Sequence, residues 1–259
     1  MPVTHTRAVT SASIAALAFL IITLIPVWIF NRSLFSLING LHSPFTDPIW
    51  LALTTFGDGL IAAIVVGAFL LVNPRITVMG LVLLLFASVC VNSVKLLFPT
   101  LRPVSLMESV HVLGPVLRSG SFPSGHTATA IAAVLSIAYF MKSAAVGSCV
   151  IGFGVLISLS RIFVGAHFPR DVIGGMIFAV ALFAVFVSFV WPSLEPHVPD
   201  RPDFSRPAFR VLMGTEVAAL IYALLIHAPF HAEWSAAAWA ATGAVAIFLG
   251  VRICKNIRA

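Results

Sequence analysis

An all-α, polytopic membrane helix bundle is the fold class this sequence predicts, and three observations predict it. The chain has 259 residues, of which 60% are hydrophobic and only 9% charged, and its mean hydropathy is +1.07. A soluble domain of that size could not keep so much apolar surface from water. Next, apolar runs long enough to cross a bilayer core of about 30 Å, which takes roughly 20 residues, recur along the whole chain. Finally, the cations, histidines and carboxylates that attract chemical interest stand at the ends of those runs rather than in their middles.

Eight spans are expected, near residues 11–30, 50–72, 76–97, 124–141, 144–163, 172–191, 213–230 and 235–252. The first reads as an uncleaved span. Its apolar run from Ile14 to Phe30 is too long for the core of a secretory signal, and no A-x-A site precedes Asn31. Residues 31–49 mix Leu and Phe with polar residues and prolines, and are expected to lie in the interface. The second span carries Asp58 within Phe56-Gly57-Asp58-Gly59. A carboxylate at that depth needs a partner, either a site cation or the first turn of a broken helix. Glu216, near the cytoplasmic end of the seventh span, reads as interfacial.

The loop 104–122 is unusually apolar, with Val104, Leu106, Met107, Val110, Val112 and Leu113 among its residues. Either it dips into the headgroups beside a lipid entrance, or it packs on the protein. Residues 192–212 contain Pro192, Pro196, Pro199, Pro202 and Pro207, too many for a continuous helix, and read as a cytoplasmic linker. The expected organisation is a six-span core over 1–191, this linker, and a C-terminal hairpin with a basic tail over 213–259. Cys90, Cys149 and Cys254 offer neither a disulfide framework nor metal-ligand spacing. There is no basic run of the kind that binds nucleic acid, despite a net charge of +6.

With the N-terminus in the cytoplasm, nine Lys and Arg fall inside and six outside: Arg32, Lys95, Arg102, Arg118, Arg161 and Arg170. Lys95, Arg102 and Arg161 belong to three polar runs, and setting them aside leaves nine against three. The runs are Lys95–Pro103 (KLLFPTLRP), Pro123–His126 (PSGH) and Ser160–Asp171 (SRIFVGAHFPRD). Threading puts all three on the non-cytoplasmic face, at four helix ends that can enclose one pocket at the membrane–water boundary.

Each run has a chemical reading. Lys95 and Arg102 flank Pro99, which should end the third span so that both cations turn toward one point. Arginine offers a planar fork for phosphate oxygens, and lysine a point charge. Taken alone, that pair could also be cations snorkelling at a membrane boundary. Ser124 occupies an N-cap position, and Gly125 lets the backbone approach a ligand closely. A helix N-terminus there is an anion site, and His126 stands in its first turn. Asp171 follows His167 by four residues, close enough to accept a hydrogen bond from one imidazole nitrogen and leave the other free to attack phosphorus. Asp171 could equally serve as a helix cap. Arg118 and Arg170 are placed to touch a headgroup.

The three runs resemble the type-2 phosphatidic acid phosphatase (PAP2) superfamily, whose signatures K-x6-R-P, PSGH and S-R-x5-H-x3-D are all filled in order within residues 50–191. The resemblance implies a six-helix membrane phosphatase with an outward-facing site and no metal cofactor. It also implies that His167 is the nucleophile forming a phosphohistidine and that Asp171 orients it. His126 would protonate the leaving group, while Lys95, Arg102, Ser124, Gly125 and Arg161 bind phosphate. Three cations and helix N–H groups can neutralise a transferring phosphoryl group, so the residues themselves are compatible with a metal-free site.

The expected substrate is a membrane lipid phosphate or diphosphate, undecaprenyl diphosphate above all, on the outer face of a bacterial inner membrane. Lipid A, phosphatidylglycerol phosphate and phosphatidate are alternatives, and so is transfer of the phosphate to another lipid. A non-enzymatic lipid transporter would account for the outer cations but not for PSGH together with His-x3-Asp. Partners beyond the lipid and the bilayer, and the oligomeric state, are not indicated.

Overall fold

The computed structural model describes residues 3–223, and among these it is helical with no strand. The expected eighth span and the end of the seventh (224–230), with the basic tail and Cys254, lie outside the described residues. Helix α1 (Val3–Ile29) is the first span, and its 18-residue apolar window is almost wholly exposed, as suits a lipid-facing helix. A short helix α2 (Asn31–Asn39) follows, burying Asn31, Phe35 and Asn39 and exposing Leu37. Nine residues rise only about 14 Å, which is too short to cross and suits the interfacial segment.

The expected second span is not one rod. It is α3 (Asp47–Thr55) and α4 (Gly59–Gly67, extended by a 3-10 turn to Leu71), bent by 65° at the break. The cause is the Gly-Asp-Gly sequence. Asp58 is extended, and its Oδ1 accepts from the N–H groups of Leu60 (2.9 Å) and Ile61 (3.3 Å). Of the two partners open to this carboxylate, the structure uses the helix start.

The third span is α5 (Pro74–Leu97), ending two residues before Pro99. After the short α6 (Pro103–Leu106) and the outer loop, α7 (Gly125–Tyr139) takes the centre of the bundle, packed against α5, α8 (Ala144–Phe163) and α9 (Pro169–Val185). Its 15 residues rise about 22 Å, short of a bilayer core by about 8 Å. Ser124, at its N-terminal end, is buried beneath the loop, so this end of α7 is recessed within the bundle. The main core joins Met79, Leu83, Val91, Ile131, Val134, Phe183 and Trp191 from α5, α7, α9 and the helical turns that follow α9.

Two expectations about connections need amending. After α9 comes a π turn (Phe186–Val190), and helical turns continue past residue 191 through α10 (Trp191–Leu194) and a 3-10 turn (Glu195–His197). Pro192 and Pro196 stand at first-turn positions, where a missing N–H costs nothing. The non-helical stretch is therefore only 198–206, before α11 (Pro207–Tyr222), whose Glu216 carboxyl fills the space beside Gly67 of α4. The loop 104–122 divides between both readings. Leu106, Met107 and Val110 pack on Phe35, Ile162, Phe168 and Val172, while Val116 and Leu117 are exposed.

Candidate active site

The three polar runs meet at one end of the bundle. Lys95 lies in the last turn of α5, and a methyl group added to Gly125 would sit 3.7 Å from its Nζ, so the ammonium stands beside the first turn of α7. That turn is capped by Ser124, whose Oγ accepts from the Thr127 N–H (3.4 Å) and the Thr127 hydroxyl (3.0 Å). The Ser124 N–H donates to the Asp171 carbonyl (2.9 Å), tying the start of α7 to the start of α9. Here the chain also contains a cis Phe122–Pro123 bond.

Arg102 is buried and held by backbone oxygens rather than by a carboxylate. Its Nε donates to the Ser119 carbonyl (2.9 Å), Nη1 to Ala166 (3.1 Å) and Nη2 to Gly120 (3.4 Å). The same Nη1 lies 3.4 Å from His167 Nε2. Arg161 comes from the last turn of α8, donates from Nη1 to the Thr54 hydroxyl, and is equally buried. Its carbonyl accepts from the N–H groups of Ala166 and His167, both at 3.1 Å, which folds the loop back so that His167 turns inward.

His167 is almost wholly buried at 1% exposure. Burial first, then the charges of Arg102, Arg161 and Lys95, push its pKa well below the ordinary histidine value. The imidazole is therefore neutral near pH 7 and keeps a lone pair.

Asp171 differs from the hydrogen-bonded partner that the four-residue spacing suggests. Its Oδ2 is 3.8 Å from His167 Nδ1, beyond hydrogen-bond range. That oxygen instead accepts from the Ser121 hydroxyl (2.5 Å) and the Phe168 N–H (3.0 Å). The second contact is the helix-capping role that the sequence also allowed, with Asp171 at the third position of α9 reaching back to the N-cap. Oδ1 lies 3.5 Å from Arg170 Nε. Arg170 packs over the rings of Trp28 (4.8 Å) and Phe168 (5.5 Å), so it braces Asp171 from outside rather than standing free for a headgroup. Arg118 is exposed, and its carbonyl accepts from the Arg102 N–H (3.0 Å).

Four contributors escaped the sequence reading. Ser121 and Thr54 hold Asp171 and Arg161. Thr100 Oγ1 accepts from the Phe122 N–H at 2.7 Å and so fixes the approach to PSGH. Gly57 lies in the break between α3 and α4, where a Cβ would come within 3.0 Å of the His126 Cβ and 3.1 Å of its carbonyl oxygen. Thr100 stands inside the first polar run, Gly57 beside Asp58 and Ser121 two residues before Pro123, but all four act on partners 22 or more residues away, which no local pattern shows.

Fold and site together define a polytopic helical membrane protein with two buried arginines and a neutral, buried histidine gathered at one end of its bundle. Comparison with known proteins agrees. The PAP2 superfamily model matches residues 77–195. Undecaprenyl-diphosphatase BcrC of Bacillus subtilis is 32% identical over 164 residues, covering 61% of this chain and 83% of that protein. An undecaprenyl-diphosphatase of Sulfolobus acidocaldarius is 28% identical over 177 residues, covering 66% and 82%. The crystal structure of Aquifex aeolicus LpxE superposes with a TM-score of 0.58 at 26% identity, covering 62% of this chain and 96% of that one. The chain belongs to the PAP2 superfamily. It is a membrane lipid phosphatase, a hydrolase.

Proposed function

We propose that the protein removes the terminal phosphate of undecaprenyl diphosphate at the outer leaflet of a bacterial inner membrane, through a phosphohistidine on His167. The observation that carries the chemistry is the environment of His167 Nε2. This nitrogen is 3.4 Å from Arg102 Nη1 in a pocket that also holds Arg161, while the opposite ring nitrogen faces Asp171 at 3.8 Å. The choice of substrate rests on the two relatives named undecaprenyl-diphosphatase.

In this reading Lys95, Arg102, Arg161, the Ser124 cap and the backbone at Gly125 hold the terminal phosphate. The Nε2 lone pair forms the P–N bond as the bond from phosphorus to the bridging oxygen breaks. His126 gives its proton to that oxygen, releasing the lipid monophosphate. Asp171 stabilises the positive ring so formed. Water, deprotonated by His126, then attacks phosphorus, returning neutral His167 and inorganic phosphate. No metal is assigned a role, because three cations and a helix N-terminus supply the neutralisation. A cavity of about 380 Å³ between α4, α5 and α7, reaching Gly125 and lined by Leu84, Leu85 and Val91, supports entry of the apolar tail from the side.

Phosphate release from purified protein, measured over undecaprenyl diphosphate, phosphatidylglycerol phosphate, phosphatidate and lipid A, tests this. Undecaprenyl diphosphate should give the highest kcat/KM, and His167→Ala should abolish turnover. Full activity in that variant would overturn the nucleophile. A better rate on another lipid would overturn the substrate.

A further inference from the structure

Away from this pocket, but at the same end of the bundle, three ligand-type side chains converge from distant parts of the chain. His42 lies in the turn between α2 and α3, Asp47 opens α3, and His111 comes from the outer loop. One donor atom from each lies within 4.8 Å of the others. We propose that His42, Asp47 and His111 form a binding site for a zinc-class divalent cation that clamps the outer loop to the α2–α3 turn.

Two of the ligands are already fixed. The His111 backbone is held on both sides by Asn39, whose Oδ1 accepts from its N–H (2.9 Å) and whose Nδ2 donates to its carbonyl (2.9 Å). The same Nδ2 donates to the Phe163 carbonyl at 3.0 Å, anchoring the loop to the end of α8. Asp47 uses Oδ1 to accept from the Ser43 N–H (3.3 Å), which leaves Oδ2 aimed at His111 Nε2, 2.9 Å away. His42 is exposed and stacks on the His111 ring, with centroids 4.0 Å apart.

The donor set selects the metal. Two imidazoles and one carboxylate suit zinc, whereas magnesium and calcium prefer all-oxygen shells. Zinc bonds of about 2.1 Å in a tetrahedron place ligand atoms about 3.4 Å apart. The His111–Asp47 pair must open by roughly half an ångström, and exposed His42 must turn off the stack to close the third side. Water would take the fourth position.

Binding there reaches the catalytic loop through Gly165, two residues before His167. Gly165 has φ +72°, and a Cβ on it would strike the His111 carbonyl, so only glycine lets the two loops touch. The Leu113 N–H donates to the Val164 carbonyl (3.1 Å) beside it. Farther along the same loop, the carbonyls of Ser119 and Gly120 hold Arg102.

Full-length protein in detergent, stripped with chelator and titrated calorimetrically with Zn²⁺, tests the site. One zinc per chain is expected. His42→Ala and Asp47→Asn should each weaken binding at least tenfold, and His42→Ala should leave basal phosphate release unchanged. Hydrogen exchange over 107–121 should slow with zinc in the wild type but not in His42→Ala. Absence of binding, undiminished binding in both variants, or binding lost in His167→Ala instead would overturn the proposal.

Discussion

Replacing Asp171 with Asn keeps the side chain's shape and removes its charge, which makes it the sharpest probe of the proposed mechanism. Attack through Nε2 turns neutral His167 into a positively charged phosphohistidine ring in a pocket that already holds Arg102 and Arg161. Among the described residues, the carboxylate that faces that ring is Asp171, with Oδ2 at 3.8 Å from Nδ1. At an effective dielectric constant of about 20, unit charges at that separation attract by about 4 kcal/mol. The attraction is absent while the ring is neutral, so it lowers the barrier rather than tightening ground-state binding. Its loss corresponds to about a thousandfold in kcat. The 0% exposure of Asp171 leaves little solvent to screen the effect.

Two controls separate charge from architecture. The Asn oxygen can still accept from the Ser121 hydroxyl and the Phe168 N–H, so thermal melting in detergent should move by only a few degrees. KM for the lipid should also change little, since the cations proposed to bind phosphate are untouched. Initial rates of phosphate release give the answer. A kcat within tenfold of the wild type, in a protein that melts normally, would refute the electrostatic role and leave Asp171 as a helix cap.

Four further outcomes follow from the same geometry. Ser121→Ala strips a buried carboxylate oxygen of its 2.5 Å partner and should cost about 1.5–3 kcal/mol, read as a lowered melting temperature. Gly57→Ala forces a Cβ to within 3.0 Å of His126, so kcat should fall by up to about a hundredfold while overpacking costs about 1–3 kcal/mol, and unchanged kcat would contradict the close approach. The depressed pKa of His167 means that the acid limb of kcat/KM, where this ring takes up a proton, should fall below pH 6.5. Stability follows the same sign: this group's contribution is full above its unfolded value of about 6.5 and is lost as pH falls through the lower folded value, which acid melts would register. Chelation with EDTA should leave turnover of the His42→Ala variant intact; a sustained loss there, reversed by a divalent ion, would count against the proposed metal-free chemistry.

The spans were legible because hydropathy acts locally, and six expected spans correspond to described helices, one of them broken. The break at Asp58 was half legible. Gly-Asp-Gly signals a helix start, but the choice between a cap and a salt bridge depends on what packs opposite. Membership of the polar runs was legible because family signatures preserve spacing. Their contacts were not. The sequence puts Asp171 four residues after His167, which allows a hydrogen bond. Ser121, 50 residues earlier, and the N–H of Phe168 draw the same oxygen away, leaving 3.8 Å. No periodicity encodes that competition. Nor could spacing reveal His42, Asp47 and His111 as neighbours, since 64 residues separate the last two and Asn39 is what fixes the approach.

The way the cations are held explains why the outer loop must fold over the site. Among the described residues, neither Lys95, Arg102 nor Arg161 forms a salt bridge with a carboxylate. Arg102 leans on three backbone carbonyls and Arg161 on a threonine hydroxyl. Such neutral acceptors orient a guanidinium without cancelling its charge, so the pocket keeps nearly its full positive potential for a phosphate. Two of the carbonyls belong to Ser119 and Gly120, at the end of the 104–122 loop. A helix interior cannot supply them, because its carbonyls are engaged along its own axis. The apolar half of the loop, with Leu106, Met107 and Val110 packed on Phe35 and Phe168, is what brings irregular backbone to this depth. Its hydrophobic composition and the buried cations are thus two parts of one arrangement: apolar contacts hold the carbonyls, and the carbonyls hold the charge that the proposed mechanism offers to the phosphate.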